Sequence, residues 1–323
     1  SRAKIEGKHS RFSPGQRYRL LRNGIQAFLR MPGDFPTMID CGAYSHLGSV
    51  VPPYDVEDCV EFYTQCQFGA GVSPDCVILE QNHSWDDPRR TPGSVLGRAE
   101  ATHDAARRFL TICRAAEMPF DPIGVVQAWS PRSAAKYAKG LVDSGYTWLG
   151  LGGLAHRRTR EIYDVLCEVR SAIPEEVRLH LFGFNRIDQL DDFSGLGISS
   201  IDSSAPLLKA VKDDRHNYFC SRGAHYLAIK IPSRHEGRIR NQVASGAIDP
   251  DLYAALEEGA LEAFRECAFA RLTVTRALER LRDYHAFAFP SEEFPAAAYR
   301  RVLLEQPWKE CECGACEEIG PEI

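Results

Sequence analysis

Polar side chains follow several short apolar runs of the sequence, at the points where those runs end. Asp40 and Glu80 close the first two runs, Gln127 closes the third, and Asp202 follows Ile201. At the carboxyl ends of parallel strands these groups would converge on one pocket. Two carboxylates across a pocket suit chemistry at an anomeric carbon, where one attacks the carbon and the other moves protons. A single Asp at a strand end is as often only the N-cap of the next helix, so the prediction depends on the whole set.

Short runs rich in Ile, Val, Leu and Phe alternate with amphipathic stretches, which is typical of repeated strand–helix units. The predicted strands are 37–40, 76–80, 123–127, 147–151, 179–182, 198–201 and 226–231. The predicted helices between them are 16–30, 56–68, 98–116, 131–143, 158–172 and 205–213. Because each parallel pair needs a right-handed crossover, this number of units favours an α/β fold of the closed (β/α)₈ TIM-barrel type. We expect its first strand to precede Ser1.

The pattern changes near residue 249, where a long helical run continues to about residue 284. Three prolines, at 290, 295 and 307, then precede a group of cysteines. We therefore predict a TIM-barrel catalytic domain over 1–289, with the helical segment 249–285 included. An appended or inserted zinc-binding subdomain would begin at 290–323 and be incomplete at its carboxyl end.

Composition narrows the class of protein. The chain has 323 residues, 44% of them hydrophobic, and a formal net charge of −5. It is too apolar for disorder, and no run approaches the roughly 18 apolar residues of a membrane helix, so we predict a cytoplasmic protein without a membrane partner. The acidic balance argues against a general nucleic-acid coat protein but allows a local basic groove. Such a basic groove could be formed by either of two arginine clusters. The first is Arg157, Arg158 and Arg160, and the second is Arg234, Arg238 and Arg240. Each cluster is equally compatible with a solvated helix face.

Three of the eleven cysteines, Cys311, Cys313 and Cys316, lie within six positions. The Cys-x-Cys-x-x-Cys spacing places three thiolates on one tight turn, which suits tetrahedral Zn²⁺ in a reducing compartment. A structural zinc site needs four ligands, so the sequence predicts structural Zn²⁺ with one ligand still to be supplied.

Six motifs, in this order, resemble those of the tRNA-guanine transglycosylase superfamily and its DNA-modifying relatives. They are Asp40-Cys41-Gly42-Ala43-Tyr44, Val126-Gln127, Gly152-Gly153-Leu154-Ala155, Leu181-Phe182-Gly183, Ile201-Asp202 and Cys311-x-Cys313-x-x-Cys316. The resemblance spans nearly the whole chain. Each motif alone is weak, but six in order are specific.

The resemblance implies a role for each matched residue. Asp202 would be the nucleophile on C1′ and Asp40 the general acid/base. Base binding would fall to Tyr44, Gln127, Gly152, Gly153, Leu154 and Phe182, with the two aromatic rings stacking on the base. Glu80 lies near the family's further base-reading Asp, and Arg157, Arg158 and Arg160 would contact the nucleic-acid backbone. The fourth zinc ligand would be a His beyond residue 323.

Other segments are similar to the DNA-guanine transglycosylase branch, among them Val51-Pro52-Pro53-Tyr54 and Ser203-Ser204-Ala205-Pro206. This similarity implies exchange of guanine in DNA for a 7-deazaguanine such as preQ0, with possible helper proteins of a DNA-modification system. Base exchange in tRNA is the alternative. A glycoside hydrolase on the same barrel and a non-catalytic nucleic-acid-binding module also stay open.

Overall fold

The structure, a computed structural model, describes residues 2–6, 12–31, 34–184, 186, 193, 195–204, 208, 217–219, 224–233 and 237–310. The chain divides into two compact units, one within residues 1–204 and the other within residues 205–323. Both candidate catalytic carboxylates, Asp40 and Asp202, belong to the first unit.

The first unit contains a six-stranded parallel sheet whose strands follow one another in chain order. The strands are β1 (Met38–Ile39), β2 (Ala70–Val72), β3 (Asp121–Val126), β4 (Trp148–Leu151), β5 (Arg178–Leu181) and β6 (Ile198–Ile201). Leu149 of β4, for example, pairs with Gly124 of β3 on one side and with Leu179 of β5 on the other. Parallel pairing in chain order brings the carboxyl ends of all six strands to one edge of the sheet. In parallel α/β barrels the active site lies at that edge.

Among the described residues, two helices precede β1, and one α-helix lies between each pair of consecutive strands from β1 to β5. They are α1 (Arg2–Ile5), α2 (Pro14–Leu29), α3 (Val56–Gln65), α4 (Gly93–Ala115), α5 (Pro131–Asp143) and α6 (Thr159–Ala172). Helix α5 begins where the sequence predicts, because the Ser130 hydroxyl accepts the Ser133 N–H at 3.0 Å and Pro131 occupies the first turn. Leu141 of α5 and Leu166 of α6 are fully buried in one core with the strand side chains, so these helices hold the sheet by apolar burial.

Five of the predicted strands are confirmed, but the predicted strand 76–80 is wrong. The second strand is Ala70–Val72, and residues 73–82 belong to no strand of the sheet. Cys76 and Ile78 are buried like strand residues, yet their N–H groups donate to side chains, to Thr102 Oγ1 at 2.9 Å and to Gln127 Oε1 at 3.1 Å. Side-chain acceptors therefore replace the neighbouring strand for this segment.

The second unit is mainly helical in the part of the chain that the structure describes. Its helices are α7 (Gly237–Ala244), α8 (Pro250–Ala268), α9 (Val274–Ala288) and α10 (Ala296–Glu305), beside a short antiparallel pair, β7 (Tyr218–Phe219) and β8 (His225–Tyr226). The predicted strand 226–231 is thus only this short β8. The long predicted helix is two helices that pack on each other, and the hydroxyls of Tyr253 and Tyr284 both donate to the Pro232 carbonyl, at 2.8 and 2.6 Å.

The α/β class is confirmed, while the complete eight-stranded barrel, the domain boundary at residue 289 and the zinc subdomain stay predictions. Residues 311–323, which include the three clustered cysteines, lie outside the described residues, as does all of the predicted helix 205–213 except residue 208. Within the described residues, no helix is both long enough and apolar enough to cross a membrane.

Candidate active site

Asp40 and Asp202 follow the two outermost strands of the sheet, β1 and β6. In a flat sheet, carboxyl groups on opposite edges would lie far apart. Here burial is the main cause that raises the pKa of Asp40, and the Asp202 carboxylate lies close enough for its charge to add to that rise. The two carboxyl groups are thus within electrostatic reach of each other, which requires the parallel sheet to curl as in one side of a barrel.

The Asp202 carboxylate is held by donors from β5 and the turn that follows it. Its Oδ1 accepts the Gly183 main-chain N–H at 2.7 Å, and His180 Nε2 lies 3.5 Å from the same oxygen. Burial would raise the pKa of this carboxyl, but the His180 and Gly183 donors outweigh burial and hold the pKa below its ordinary value. Asp202 is thus ionised, and its side chain is 60% exposed, as a nucleophile requires.

The Asp40 carboxyl has the opposite electrostatic setting. Burial raises the pKa of this carboxyl. The main-chain N–H of Gly42 donates to Oδ1 and lowers the pKa, but burial is the larger effect. Two carboxyl groups of one site therefore have pKa values displaced in opposite directions. In such a pair, the carboxyl group with the raised pKa can carry a proton, and the one with the lowered pKa can act as a nucleophile.

A buried polar chain runs beside these carboxyl groups, and sequence reasoning missed its central member, Asp75. Gln127 Nε2 donates to Asp75 Oδ2 at 2.7 Å, and the Cys41 thiol donates to Asp75 Oδ1 at 3.4 Å. Asp75 and Gln127 are only 7% and 4% exposed. Burial raises the pKa of Asp75 to about 7, and the charge of Asp40 adds to that rise. The only sequence signal is a lone acidic residue in an otherwise apolar stretch.

Glu80, the residue predicted near the base-reading position, lies elsewhere. Its carboxylate pairs with the guanidinium of Arg98 at 2.5 Å, and Arg98 Nη1 also donates to the Val77 carbonyl. The Glu80 side chain is 45% exposed. Asp75, and not Glu80, is therefore the carboxyl group that meets Gln127.

The Gly152-Gly153-Leu154 segment forms the turn after β4, against Gln127. Gly153 has φ +69°, and a Cβ there would collide with the Ile78 carbonyl oxygen. The Leu154 side chain is 2% exposed within the apolar core, so only its main chain can face a ligand. Among the hydrogen bonds of the described residues, none uses the N–H of Gly153 or of Leu154. These two donors are available to a bound base.

The two predicted stacking rings lie in different surroundings. Tyr44 is 56% exposed in a 3₁₀ turn (Ala43–His46), and its hydroxyl is 3.1 Å from Nε2 of His156, which follows the Gly-Gly turn. Phe182 is half-buried, packs with the residues inside the sheet and meets the His180 ring edge-on at 4.5 Å. Tyr44 is therefore accessible to a ligand, with its ring 6.5 Å from the His156 ring. The stacking of both rings on a base stays a prediction.

The chain is 33% identical over 327 residues to a DNA-guanine transglycosylase of Salmonella montevideo, an alignment that covers 99% of this chain and 77% of that protein. This chain belongs to the DNA-guanine transglycosylase family. It is accordingly a glycosyl-transfer enzyme. No protein-family profile matches the chain.

In this family member, the arginines after the Gly-Gly turn have three distinct settings. Arg157 is 3% exposed, and it donates to the carbonyls of Gly153 at 3.1 Å and Ala128 at 2.9 Å. Burial lowers its pKa to about 10. Arg157 therefore joins two loops of the site through these hydrogen bonds, and its buried side chain does not make the predicted contact with the nucleic-acid backbone.

Arg158 is exposed at the N-cap of α6, and Arg160 is exposed in the first turn of that helix. Arg158 is paired with Glu161 at 2.8 Å, whereas no ion pair of the described residues involves Arg160. Arg160 is therefore the best candidate for a backbone contact. The side chains of Arg234, Arg238 and Arg240 lie outside those the structure describes.

The described residues contain no cluster of His, Cys, Asp or Glu that could hold a metal ion. The predicted ligands Cys311, Cys313 and Cys316 fall outside them. Three closely spaced thiolates are a donor set that fits Zn²⁺.

Proposed function

We propose that this enzyme exchanges guanine in DNA for a 7-deazaguanine such as preQ0, through a covalent intermediate between Asp202 and the deoxyribose. The observation that carries the proposal is the opposed pair of pKa shifts. The pKa of Asp202 is lowered by its His180 and Gly183 donors in spite of burial, while burial raises the pKa of Asp40. One carboxylate is thereby ready to attack and the other to carry a proton.

The reaction is a double displacement at C1′. A carboxylate oxygen of Asp202 bonds to C1′ as the bond from C1′ to N9 of guanine breaks, and the departing guanine takes the proton of Asp40. The incoming base then gives its N9 proton to Asp40 and bonds to C1′, which releases Asp202. Because two displacements occur at one carbon, the configuration at C1′ is retained.

Asp75, Gln127 and the turn after β4 are suited to holding the base. Guanine and 7-deazaguanines share the same N1–H and N2–H₂ donors, and an ionised Asp75 has acceptor positions beyond those used by Gln127 and Cys41. The free N–H groups of Gly153 and Leu154 complement the O6 acceptor. Tyr44 and Phe182 would recover stacking energy that the base loses when it leaves the helix.

The relative's name specifies DNA, which favours DNA over tRNA as the substrate of this chain. Family membership also favours base exchange over hydrolysis of a sugar by the same two carboxylates. Helper proteins, a cytoplasmic location and structural Zn²⁺ at the clustered cysteines belong to the same proposal.

The test is incorporation of radiolabelled guanine, and then of preQ0, into DNA and into tRNA in parallel reactions. We expect label in DNA. Asp202→Asn keeps the size of the side chain and should reduce incorporation at least about a thousandfold, with unchanged thermal unfolding. Label in tRNA alone would reject the DNA substrate, and exchange by Asp202→Asn at the wild-type rate would reject the covalent mechanism.

A further inference from the structure

His180 lies on β5 directly opposite Ser200 of β6, its register partner. Its side chain is 2% exposed, and Nδ1 is 2.9 Å from the Ser200 hydroxyl oxygen. Nε2 makes no full hydrogen bond within the described part of the chain. Its near neighbour is Asp202 Oδ1, at 3.5 Å. A buried polar nitrogen is thus directed at one oxygen of the candidate nucleophile.

We propose that His180 is a positioning residue for Asp202, which fixes Oδ1 so that Oδ2 is the oxygen that attacks C1′. Oδ1 already accepts the Gly183 N–H at 2.7 Å. With Nε2 as a second donor to the same oxygen, the two donors together fix the orientation of the carboxylate plane, and both act on Oδ1. The inference rests on the proposed function, in which Asp202 is the nucleophile.

The surroundings of the imidazole favour the required tautomer. If Nδ1 carried the proton, the Nε2 lone pair would face the Asp202 carboxylate, which is repulsive. With the Ser200 hydroxyl donating to Nδ1, the proton lies on Nε2 and points at Oδ1. The edge-on contact with Phe182, at 4.5 Å between ring centres and 72° between planes, fixes the orientation of the ring.

The 3.5 Å separation fits a contact that shortens during the reaction, as catalytic hydrogen bonds commonly do once the substrate is bound. When Oδ2 bonds to C1′, Oδ1 becomes the carbonyl oxygen of the ester, and two donors then stabilise it. Among the described residues, the titratable side chain that acts on Asp202 is His180 from β5, and the charge of Asp202 in turn raises the pKa of Asp40 in the loop after β1.

The decisive variant is His180→Phe, which keeps a ring against Phe182 and removes both nitrogens. We expect the single-turnover rate constant for adduct formation to fall about 10- to 100-fold, the range of a hydrogen bond to a charged group. KM for DNA should stay nearly unchanged. Loss of the His180 donor should also raise the pKa of Asp202, so the acid limb of the pH–rate profile should move to higher pH. His180→Gln, whose amide N–H can donate, should restore part of the rate.

The matched control is His103→Phe. His103 lies on α4 with its ring against Tyr137 of α5, at 5.6 Å between ring centres. This variant should leave the rate constant and the acid limb unchanged. Ser200→Ala, which removes only the Nδ1 partner, should give an intermediate loss, and it decides the matter if His180→Phe does not fold.

A folded His180→Phe protein with the wild-type rate constant, or with an unmoved acid limb, overturns the inference. If His180→Phe does not fold, a wild-type rate constant for Ser200→Ala overturns the inference instead. Failure of the proposed function has a different signature, because the wild-type enzyme would then form no adduct or Asp202→Asn would still exchange bases.

Discussion

The Gln127 amide donates a 2.7 Å hydrogen bond to the buried carboxylate of Asp75. The same amide accepts the Ile78 N–H through its oxygen, at 3.1 Å. Because both ends of the amide are engaged, its orientation is fixed, and so is the oxygen of Asp75 that it occupies. The pair forms a rigid wall of the site between the loop after β2 and the end of β3.

Asp75→Asn should change stability in a way that depends on pH. Burial raises the pKa of Asp75 in the folded protein from 3.8 to about 7. A raised carboxyl pKa means that ionisation opposes folding, so the wild-type protein loses stability as pH rises from about 4 to about 7. The uncharged Asn escapes this loss. The free energy of unfolding of the variant, relative to wild type, should therefore rise by a few kcal/mol between pH 4 and pH 8.

Urea unfolding at several pH values measures this difference. The control is Asp143→Asn, on the exposed face of α5, where the carboxylate pairs with Lys139 in solvent. Its effect should be below about 1 kcal/mol at every pH. A stability difference for Asp75→Asn that does not change with pH would contradict the assignment of the buried charge.

The same variant should weaken base binding. Above pH 7 the Asp75 carboxylate can accept the N–H groups of guanine, whereas Asn must present one donor. We expect KM for the free base to rise about tenfold or more, since a mismatched buried polar group costs 1–3 kcal/mol. Steady-state exchange at fixed DNA concentration measures it, and an unchanged KM would remove Asp75 from the base site.

Asp75 shows where sequence reasoning reached its limit. The run Cys76-Val77-Ile78-Leu79 is apolar and partly buried, so its pattern predicts a strand that ends at Glu80. The ladder instead runs through Ala70–Val72, a short strand with a central glycine. Asp75 then follows the strand end, and Glu80 lies beyond the site. Hydrogen bonds from a main chain to distant side chains such as Thr102 leave no periodic signal in the sequence.

The sequence places Asp40, Gln127 and Asp202 at strand ends because each follows an apolar strand residue, Ile39, Val126 and Ile201 respectively. The burial of Arg157 was not predictable, since a charged residue after a turn gives the same pattern whether it binds solvent or two carbonyl groups. Three-dimensional packing decides between those outcomes.

Gly153→Ala should destabilise the turn after β4 and abolish exchange. The substitution places a side chain at φ +69° and drives its Cβ into the Ile78 carbonyl. Gly246→Ala is the matched control, because Gly246 has φ +72° with open space around it. The control should lose about 1–2 kcal/mol from the left-handed backbone alone. A larger loss for Gly153→Ala, measured by urea unfolding, isolates the collision, and equal losses would refute it.

Arg160 and Arg157 should differ in their effect on DNA binding. Arg160→Ala removes an exposed cation and should reduce the slope of log K against log salt concentration by about 0.9 if it contacts one phosphate. Arg157→Lys removes the fork that holds the Gly153 and Ala128 carbonyls, so it should lower the exchange rate and stability without changing that slope. Fluorescence anisotropy between 50 and 200 mM salt distinguishes them, and a reduced slope for Arg157→Lys would restore it as a phosphate contact.

Removal of zinc should lower stability, if the three clustered cysteines bind it as their spacing predicts. Metal analysis of the purified protein should give about one zinc ion per chain, and Cys313→Ser should lose it, because thiolate ligands supply most of the affinity at such sites. Cys167→Ser, at a half-buried cysteine of α6 in the first unit, is the control and should keep the ion. A chelator should then lower the melting temperature of wild type and Cys167→Ser but leave Cys313→Ser unchanged. Wild-type protein free of zinc, with a melting temperature insensitive to the chelator, would contradict a structural metal.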